Sequence, residues 1–337
     1  MGKIMKIMPR LLLAMSFSFA FGAIAQGKTL KIATLAPAGT TWMKLMTEGA
    51  DSIKEKTGGR VKLKFYPGGV MGNDLSVHRK IKVGQLHGGA FTPGGLSHIN
   101  TSIQALSLPM VFDSYDEADY VRAKMQPVLQ REMEASGFVI LGISEGGFAR
   151  ILSKHAMQNL QAIRDSKVWI PNGDKLAQLT FNALGISPVS LPISDVFTGL
   201  QTGLIETVAV NPTGAIAFQW HNSTAFMTET PITFLIGVLA VEEKAFSQLT
   251  ADDQQVVRAE MQAVFSRMDK LNRNDDEAAL AALQQQGIAL VAPQSGEIEK
   301  WKSLSNAAIE SMVGSGAISA DIVSQVKKHL SDFRKSQ

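Results

Sequence analysis

The sequence contains no cysteine. A fold held together by disulfide bonds is therefore excluded, although disulfides are common in small exported proteins. The same absence excludes a lipoprotein, because that class of exported protein is anchored through an acylated cysteine.

No hydrophobic run has the length of a membrane span. The N-terminal run, Leu11 to Ala25, has about 15 residues, whereas a spanning helix needs about 20. It follows a basic start and ends in the small-x-small sequence Ala23-Ile-Ala25. This pattern predicts a signal peptide over residues 1–25 that is cleaved on export, with an uncleaved N-terminal anchor as the alternative. We expect a periplasmic protein.

A basic surplus is also missing once the signal peptide is set aside. The chain has 33 Lys and Arg against 30 Asp and Glu, and three of the basic residues, Lys3, Lys6 and Arg10, lie in the signal. The remaining charges balance. Nucleic-acid binders depend on phosphate contacts and carry a basic surplus, so we expect no nucleic-acid partner.

The motifs of metal and phosphate sites are missing as well. The six histidines show neither H-x-x-x-H nor H-E-x-x-H spacing, and Pro67-Gly-Gly-Val-Met-Gly72 lacks the Gly-Lys-Ser/Thr of a phosphate loop. We therefore expect no metal and no cofactor.

The strand and helix signals alternate along the chain. Lys28–Leu35 and Val61–Tyr66 alternate as half-buried strands, and helix signals such as those of 74–83 lie between strands. The pattern predicts an α/β fold with parallel βαβ units. Removing 25 residues from 337 leaves 312, a length that suggests two domains.

Two further helices have clear boundary signals. Residues 250–286 contain neither Gly nor Pro, and Thr250 with Asp253 resembles a capping box, so one helix of roughly 55 Å is predicted to brace both domains. Ser194 is predicted to cap a shorter helix that ends at Gly203.

One catalytic motif is present. Gly142-Ile-Ser-Glu-Gly146 matches G-x-S-x-G, which places a nucleophilic serine on a strand-to-helix turn in hydrolases. Here the following residues resemble more strand, which argues against that turn. A secreted serine hydrolase using Ser144 stays open as an alternative.

Four strand ends are candidates for a binding site: Phe91-Thr92, Glu145 to Phe148, Trp169, and Asn211-Pro212. Strand ends of open α/β sheets often meet at a ligand cleft. A tryptophan at such a position is unusual, and a core role for Trp169 is the alternative.

Several segments together resemble the solute-binding proteins of tripartite ATP-independent periplasmic (TRAP) transporters. They are Lys62–Asp74 (KLKFYPGGVMGND), Leu106–Phe112 (LSLPMVF), Leu200–Gly203 (LQTG) and Glu206–Pro212 (ETVAVNP), in order along the chain. The resemblance implies two α/β domains that close on a small solute, delivery to membrane permease subunits, and no enzymatic activity. It also implies that Asn211 lies in the cleft.

The same resemblance identifies two departures from the family pattern. In most of the family the position of Trp169 is an arginine that clamps a ligand carboxylate with two hydrogen bonds. A second basic position falls on Ala149, and Arg150 is one residue away. A branch of the family with a tetratricopeptide-repeat partner also lacks the arginine, so this feature implies such a partner here.

The departures favour a largely apolar ligand. We expect Trp169 to form a wall of an interdomain cleft, Asn211 to be a polar anchor, and Phe91, Phe148, Met71 and Glu145 to complete the site. The alternative ligand is a small organic acid held by Arg150 and backbone amides. The expected domains are residues 26–148 with about 237–276, and residues 149–236 with about 277–337.

Overall fold

A computed structural model describes residues 27–337, so the predicted signal peptide lies outside the described residues. The strands are β1 Lys28–Thr34, β2 Val61–Tyr66, β3 Gly88–Phe91, β4 Phe138–Ser153, β5 Trp169–Pro171, β6 Val189–Leu191, β7 Thr207–Val210, β8 Phe226–Thr228, β9 Thr233–Glu242 and β10 Ala289–Val291. The helices are α1 Thr41–Lys56, α2 Asp74–Lys82, α3 Pro93–Leu96, α4 Tyr115–Ala135, α5 Leu160–Arg164, α6 Lys175–Ala183, α7 Val196–Thr202, α8 Pro212–Ala217, α9 Glu243–Phe246, α10 Ala251–Gln285, α11 Glu297–Gly314 and α12 Ala320–Lys335. Three 3-10 helices span Thr101–Ser107, Ile193–Asp195 and Trp220–Ser223.

The long helix predicted for residues 250–286 is confirmed as α10, with 35 residues. Its N-cap, Thr250, accepts a hydrogen bond from the backbone N–H of Asp253 at 3.2 Å. The Asp253 carboxylate does not return to the cap, because it pairs with Arg60 at 2.7 and 3.1 Å. The helix packs against α1, β4 and α8, and thus contacts elements from the N-terminal and the middle parts of the chain.

The start predicted for the helix at Ser194 is wrong. Pro192 is followed by the 3-10 turn Ile193–Asp195, and α7 begins only at Val196. The Ser194 hydroxyl bonds the adjacent Asp195 carboxylate at 2.9 Å and caps no helix. The predicted end is confirmed, since Gly203 has a left-handed backbone with φ of 73°.

The main sheet is mixed, with the order β10-β8-β4-β9-β3-β1-β2, and β7 also pairs with β4. The parallel pairing predicted from the alternating pattern is confirmed for β1 with β2 and with β3. The central pairs, β3 with β9 and β4 with β9, are antiparallel. A second, two-stranded sheet joins β5 and β6 in parallel.

Strand β4 belongs to both halves of the sheet. Its first part, to Ala149, pairs with β9, and its last part, from Arg150, pairs with β7 and then β8. The register shifts between Glu145 and Gly147, where Gly147 has a φ of 76°. Such a bulge bends a strand and re-aims its side chains. Helix α10 runs beside this bend.

Helices cover both faces of the first half of the sheet. One core cluster includes residues of α4 and α12, such as Leu129 and Val326, and another includes residues of α1 and α10, such as Met46 and Met261. Apolar side chains from β7, α7 and the end of α10 form a further core around Leu200. Of the helices in residues 27–337, none combines the length and the apolar content that a bilayer crossing requires.

Candidate functional site

A cavity of about 900 Å³ lies where the two halves of the sheet meet. The ends of β3, β5 and β7 reach it, together with the bend of β4. Helices α6, α8 and α10 close its other sides. A site at the carboxyl ends of strands is the usual ligand position in open α/β folds.

All four tryptophans of the chain line this cavity: Trp42, Trp169, Trp220 and Trp301. They come from α1, β5, a 3-10 helix and α11, so their convergence depends on the tertiary fold. Trp169, Trp220 and Trp301 are 5%, 3% and 5% exposed, so each presents only a small part of its surface to the cavity. These side chains make this part of the cavity wall apolar.

Trp169 is buried, with 5% of its surface exposed, and lies at the wall of the cavity. Its indole packs edge-to-face on Trp220, with ring centroids 5.3 Å apart. The indole N–H donates a hydrogen bond to the backbone oxygen of Leu191 at 3.0 Å. Because this donor has a protein partner, Trp169 presents apolar surface to the cavity.

Sequence reasoning missed Trp220, which packs on Trp169, and Phe218, which packs on Trp220. Phe218 stacks on Trp220 with centroids 5.2 Å apart, and both side chains line the cavity. The segment follows the predicted cleft residue Asn211 by less than ten residues, and this proximity was the available signal. Phe91, which was predicted to line the site, also reaches the cavity wall from the end of β3.

The charged residues that line the cavity within residues 27–337 are all acidic: Glu145, Asp174 and Asp275. No Lys, Arg or His of this part of the chain is at the wall. A buried carboxylate needs a cationic or hydrogen-bonding partner to offset its desolvation. The lining therefore lacks the side-chain cation that a carboxylate ligand would use.

Glu145 is fully buried, and its carboxylate is occupied by an ion pair. Arg273 of α10 donates to both carboxylate oxygens, at 2.7 and 2.6 Å, and also pairs with Asp119 at 2.7 Å. Burial raises the pKa of Glu145, and the bonds from Arg273 oppose that shift. The Glu145 backbone is also held by α10, since its oxygen accepts from the Asn272 amide at 2.6 Å. These contacts fix the bend of β4.

Asn211 lies at the cavity wall and caps α8, accepting from the N–H of Gly214 at 3.2 Å. Its amide nitrogen donates to Asp276 at 3.2 Å. The backbone N–H and hydroxyl of Thr213 donate to the same Asp276 oxygen, at 3.1 and 3.0 Å. Burial raises the pKa of Asp276, and these hydrogen bonds oppose the shift. Both ends of the Asn211 amide thus already have protein partners.

Arg150 does not line the cavity, whereas its neighbour Ile151 does. The Arg150 guanidinium donates to the backbone oxygens of Thr228 (3.2 Å) and Glu229. Burial lowers the pKa of Arg150, and nearby Asp276 opposes the shift. Ala149, at the second basic family position, is fully buried.

The structure places Phe148 and Met71 outside the cavity wall, so the expectation that they line the site is corrected. Phe148 follows the bulge at Gly147 and contacts Tyr115 and Phe234, with centroids 5.0 and 5.2 Å apart. Met71 packs against the core cluster that includes Val77 and Ile81 of α2, and its backbone oxygen accepts from Lys80 at 2.9 Å. The bulge explains why the Phe148 side chain faces away from the cavity, because one extra residue changes which side chains of β4 face it.

The hydrolase alternative for Ser144 disagrees with the fold. Ser144 lies within β4, which continues to Ser153, so the strand-to-helix turn of a G-x-S-x-G nucleophile is absent there. Ser144 lines the cavity, but none of the described histidines does. Within residues 27–337 there is also no group of three or more His, Asp and Glu side chains placed to hold a metal ion.

Comparison with known proteins decides the family. The sequence profile of the bacterial extracellular solute-binding proteins of family 7, DctP, matches residues 32–315. The chain belongs to this family. The resemblance to TRAP solute-binding proteins is thereby confirmed, and so is the expectation that the chain is not an enzyme, since family members are solute-binding receptors.

Individual relatives agree in fold while differing widely in sequence. An uncharacterized protein of Salmonella typhimurium, YiiZ, is 26% identical over 218 residues, which are 63% of this chain and 65% of that protein. A TRAP solute-binding protein of Xanthobacter autotrophicus with bound β-D-galacturonate has a TM-score of 0.83 at 16% identity, covering 90% of this chain and 99% of that one. The sugar acid binding protein DctPAm of Advenella mimigardefordensis, in complex with galactonate, has a TM-score of 0.84 at 19% identity, covering 91% and 99%. The two-domain α/β fold is therefore shown.

Proposed function

We propose that the chain is the periplasmic receptor of a TRAP transporter and captures an uncharged, largely apolar small molecule. The observation that carries this proposal is the cavity itself, which is lined by four tryptophans and by no cationic side chain of residues 27–337. The two predicted domains would close around the ligand and deliver it to membrane permease subunits. Export would use the signal peptide predicted for residues 1–25.

Apolar burial alone can supply the affinity. A ligand that buries about 400 Å² of apolar surface gains about 10 kcal/mol at 25 cal/mol per Å², before the cost of association. In this proposal Trp169 forms one wall with Trp220, and Phe91 contributes from the end of β3. Asn211 supplies a polar contact through the second N–H of its amide, since the first donates to Asp276. The tetratricopeptide-repeat partner stays a proposal that depends on the missing arginine alone.

The second candidate is a small organic acid held by Arg150 and backbone amides. The comparisons favour this candidate over the apolar one, because the Xanthobacter and Advenella proteins hold galacturonate and galactonate, which are both carboxylates. In this chain it requires the Arg150 side chain to leave the carbonyls of Thr228 and Glu229 and turn to the cavity.

Titration of the purified full chain with galacturonate, galactonate, succinate and 1-decanol tests the two candidates. We expect calorimetric binding of 1-decanol that is insensitive to salt and unchanged in Arg150→Ala. Binding of a carboxylate that weakens with salt and is lost in Arg150→Ala would establish the second candidate instead. Lys167→Ala is the matched control, since Lys167 is an exposed cation outside the cavity.

A further inference from the structure

Two polar side chains at the cavity wall each have an oxygen without a hydrogen-bond partner in the described residues. The carbonyl oxygen of the Gln104 side chain and the hydroxyl of Ser107 are buried and have no hydrogen-bond partner within residues 27–337. Both residues line the cavity, and Gln104 is only 3% exposed. Buried polar atoms nearly always have a hydrogen-bond partner, so two unpaired oxygens at one wall indicate that a ligand group completes them.

Gln104 and Ser107 form one site because of the helix that carries them. They are three residues apart in the 3-10 helix Thr101–Ser107, where side chains at i and i+3 lie on the same side. The end of this helix is fixed by Thr233, whose hydroxyl donates to the backbone oxygen of Ser107 at 2.8 Å.

The orientation of the Gln104 amide follows from its neighbour. Its nitrogen donates to the Asp174 carboxylate at 3.2 Å, and the same carboxylate oxygen accepts from the N–H of Ala177 at 3.0 Å. Asp174 thus acts as an acceptor at the start of α6, which assigns the nitrogen of Gln104 to that contact. The oxygen is left as an acceptor for another group.

The two unpaired atoms favour a ligand group that donates a hydrogen bond and disfavour a negatively charged group. Gln104 can only accept at its free oxygen, while Ser107 can both donate and accept. A ligand carboxylate would bring a second negative charge beside Asp174, whose pKa burial already raises. A hydroxyl satisfies both atoms, because it donates to Gln104 and accepts from Ser107.

We infer that Gln104 and Ser107 form a subsite that binds a hydroxyl group of an otherwise apolar ligand. This inference rests on the proposed function, since it assigns the polar end of the same uncharged ligand. The apolar remainder would lie against the tryptophans of the cavity wall.

Calorimetric titration of the full chain with 1-decanol, 1-methoxydecane and decanoate tests the subsite. The ether keeps the oxygen acceptor and the apolar chain but removes the donor. We expect 1-decanol to bind at least about fivefold more tightly than the ether, the effect of one hydrogen bond to a buried acceptor. Equal affinity would overturn the subsite, because an ordered water would then serve both atoms, while leaving the apolar cavity supported.

Variants connect the preference to the two residues. Gln104→Met should abolish the preference for the alcohol, and Ser107→Ala should reduce it by about threefold without affecting the Asp174 contact. Gln178→Met is the matched control, because Gln178 bonds Asn182 away from the cavity. A preference that survives Ser107→Ala and Gln104→Met, both checked for folding by circular dichroism, would contradict the assignment.

The remaining outcomes separate the subsite from the proposed function. Binding of decanoate with neither neutral probe binding would contradict the proposed function, and the subsite with it. Failure of all three probes at their solubility limits would count against both in the same way. Two outcomes overturn the subsite alone: equal binding of alcohol and ether, and a preference for the alcohol that survives Gln104→Met and Ser107→Ala.

Discussion

Replacement of Trp169 by alanine has two consequences that the structure separates. The indole is buried, packs edge-to-face on Trp220, and donates to the Leu191 oxygen. Removing it should lower the free energy of unfolding by about 3 to 5 kcal/mol, the range for large aromatic residues truncated in cores. Trp169→Phe retains most of the packing and loses the hydrogen bond, which should lower it by about 1 to 2 kcal/mol. Urea denaturation measures both values.

The second consequence is a loss of ligand affinity. The exposed 5% of Trp169 amounts to about 10 Å² for a large aromatic side chain, so losing its contact with the ligand should cost about 0.3 kcal/mol of binding free energy, or roughly 1.5-fold to twofold in Kd. Trp169→Phe should retain most of the affinity, since the indole N–H bonds Leu191 and is not needed by the ligand. Calorimetry with 1-decanol on the folded variants measures the change.

A matched control shows whether lost affinity reflects the wall or general destabilisation. Phe246 is also a buried aromatic, 2% exposed, but it lies outside the cavity. Phe246→Ala should destabilise the chain to a similar extent and leave the affinity unchanged. Folded Trp169→Ala with undiminished affinity, or an equal loss of affinity in Phe246→Ala, would refute Trp169 as a wall of the site.

Two further predictions concern charged groups around the site. The Asp74 carboxylate lies between Thr92, which donates to it at 2.8 Å, and α3, and burial raises its pKa to about 6. The folded state then holds more protons than the unfolded state between about pH 4 and pH 6, so stability should fall as pH rises through that window, by at most about 3 kcal/mol. Asp74→Asn should remove this part of the slope in urea denaturation at several pH values, and an unchanged slope would contradict the burial of the carboxylate. Arg273→Ala should lower the free energy of unfolding by about 3 to 5 kcal/mol, because it leaves the buried Glu145 carboxylate without its cation. Glu145→Gln should restore much of that loss in the double variant, and additive losses would show that the ion pair is not coupled.

The sequence predicts helix ends well where one side chain determines them. Thr250 caps α10 as expected, because a threonine before a long run without glycine or proline needs only local contacts to cap it. The prediction for Ser194 is wrong for the opposite reason, since the 3-10 turn after Pro192 moves the cap of α7 by one residue, to Asp195. The outer parallel strands were predictable, whereas the antiparallel central pairs join strands that are far apart in sequence.

The site was predictable only in part, because long-range contacts decide the role of each side chain. Phe91 reaches the cavity from the last position of β3, as predicted, whereas Trp169 reaches it from the first position of β5. The bulge at Gly147 turns Phe148 away, and alternation along the strand cannot reveal such an extra residue. The Glu145 carboxylate forms an ion pair with Arg273, which lies 128 residues later in the chain. No local sequence pattern therefore shows that the charge of Glu145 is neutralised.

Mass spectrometry of a natively purified sample would show whether the cavity holds an uncharged ligand. An organic extract of the folded protein would be compared with an extract of the same protein after unfolding, stripping and refolding. We predict a largely apolar, uncharged molecule with a hydroxyl group in the native extract alone. A short carboxylate found there instead would contradict the proposed apolar ligand and support recognition of an organic acid.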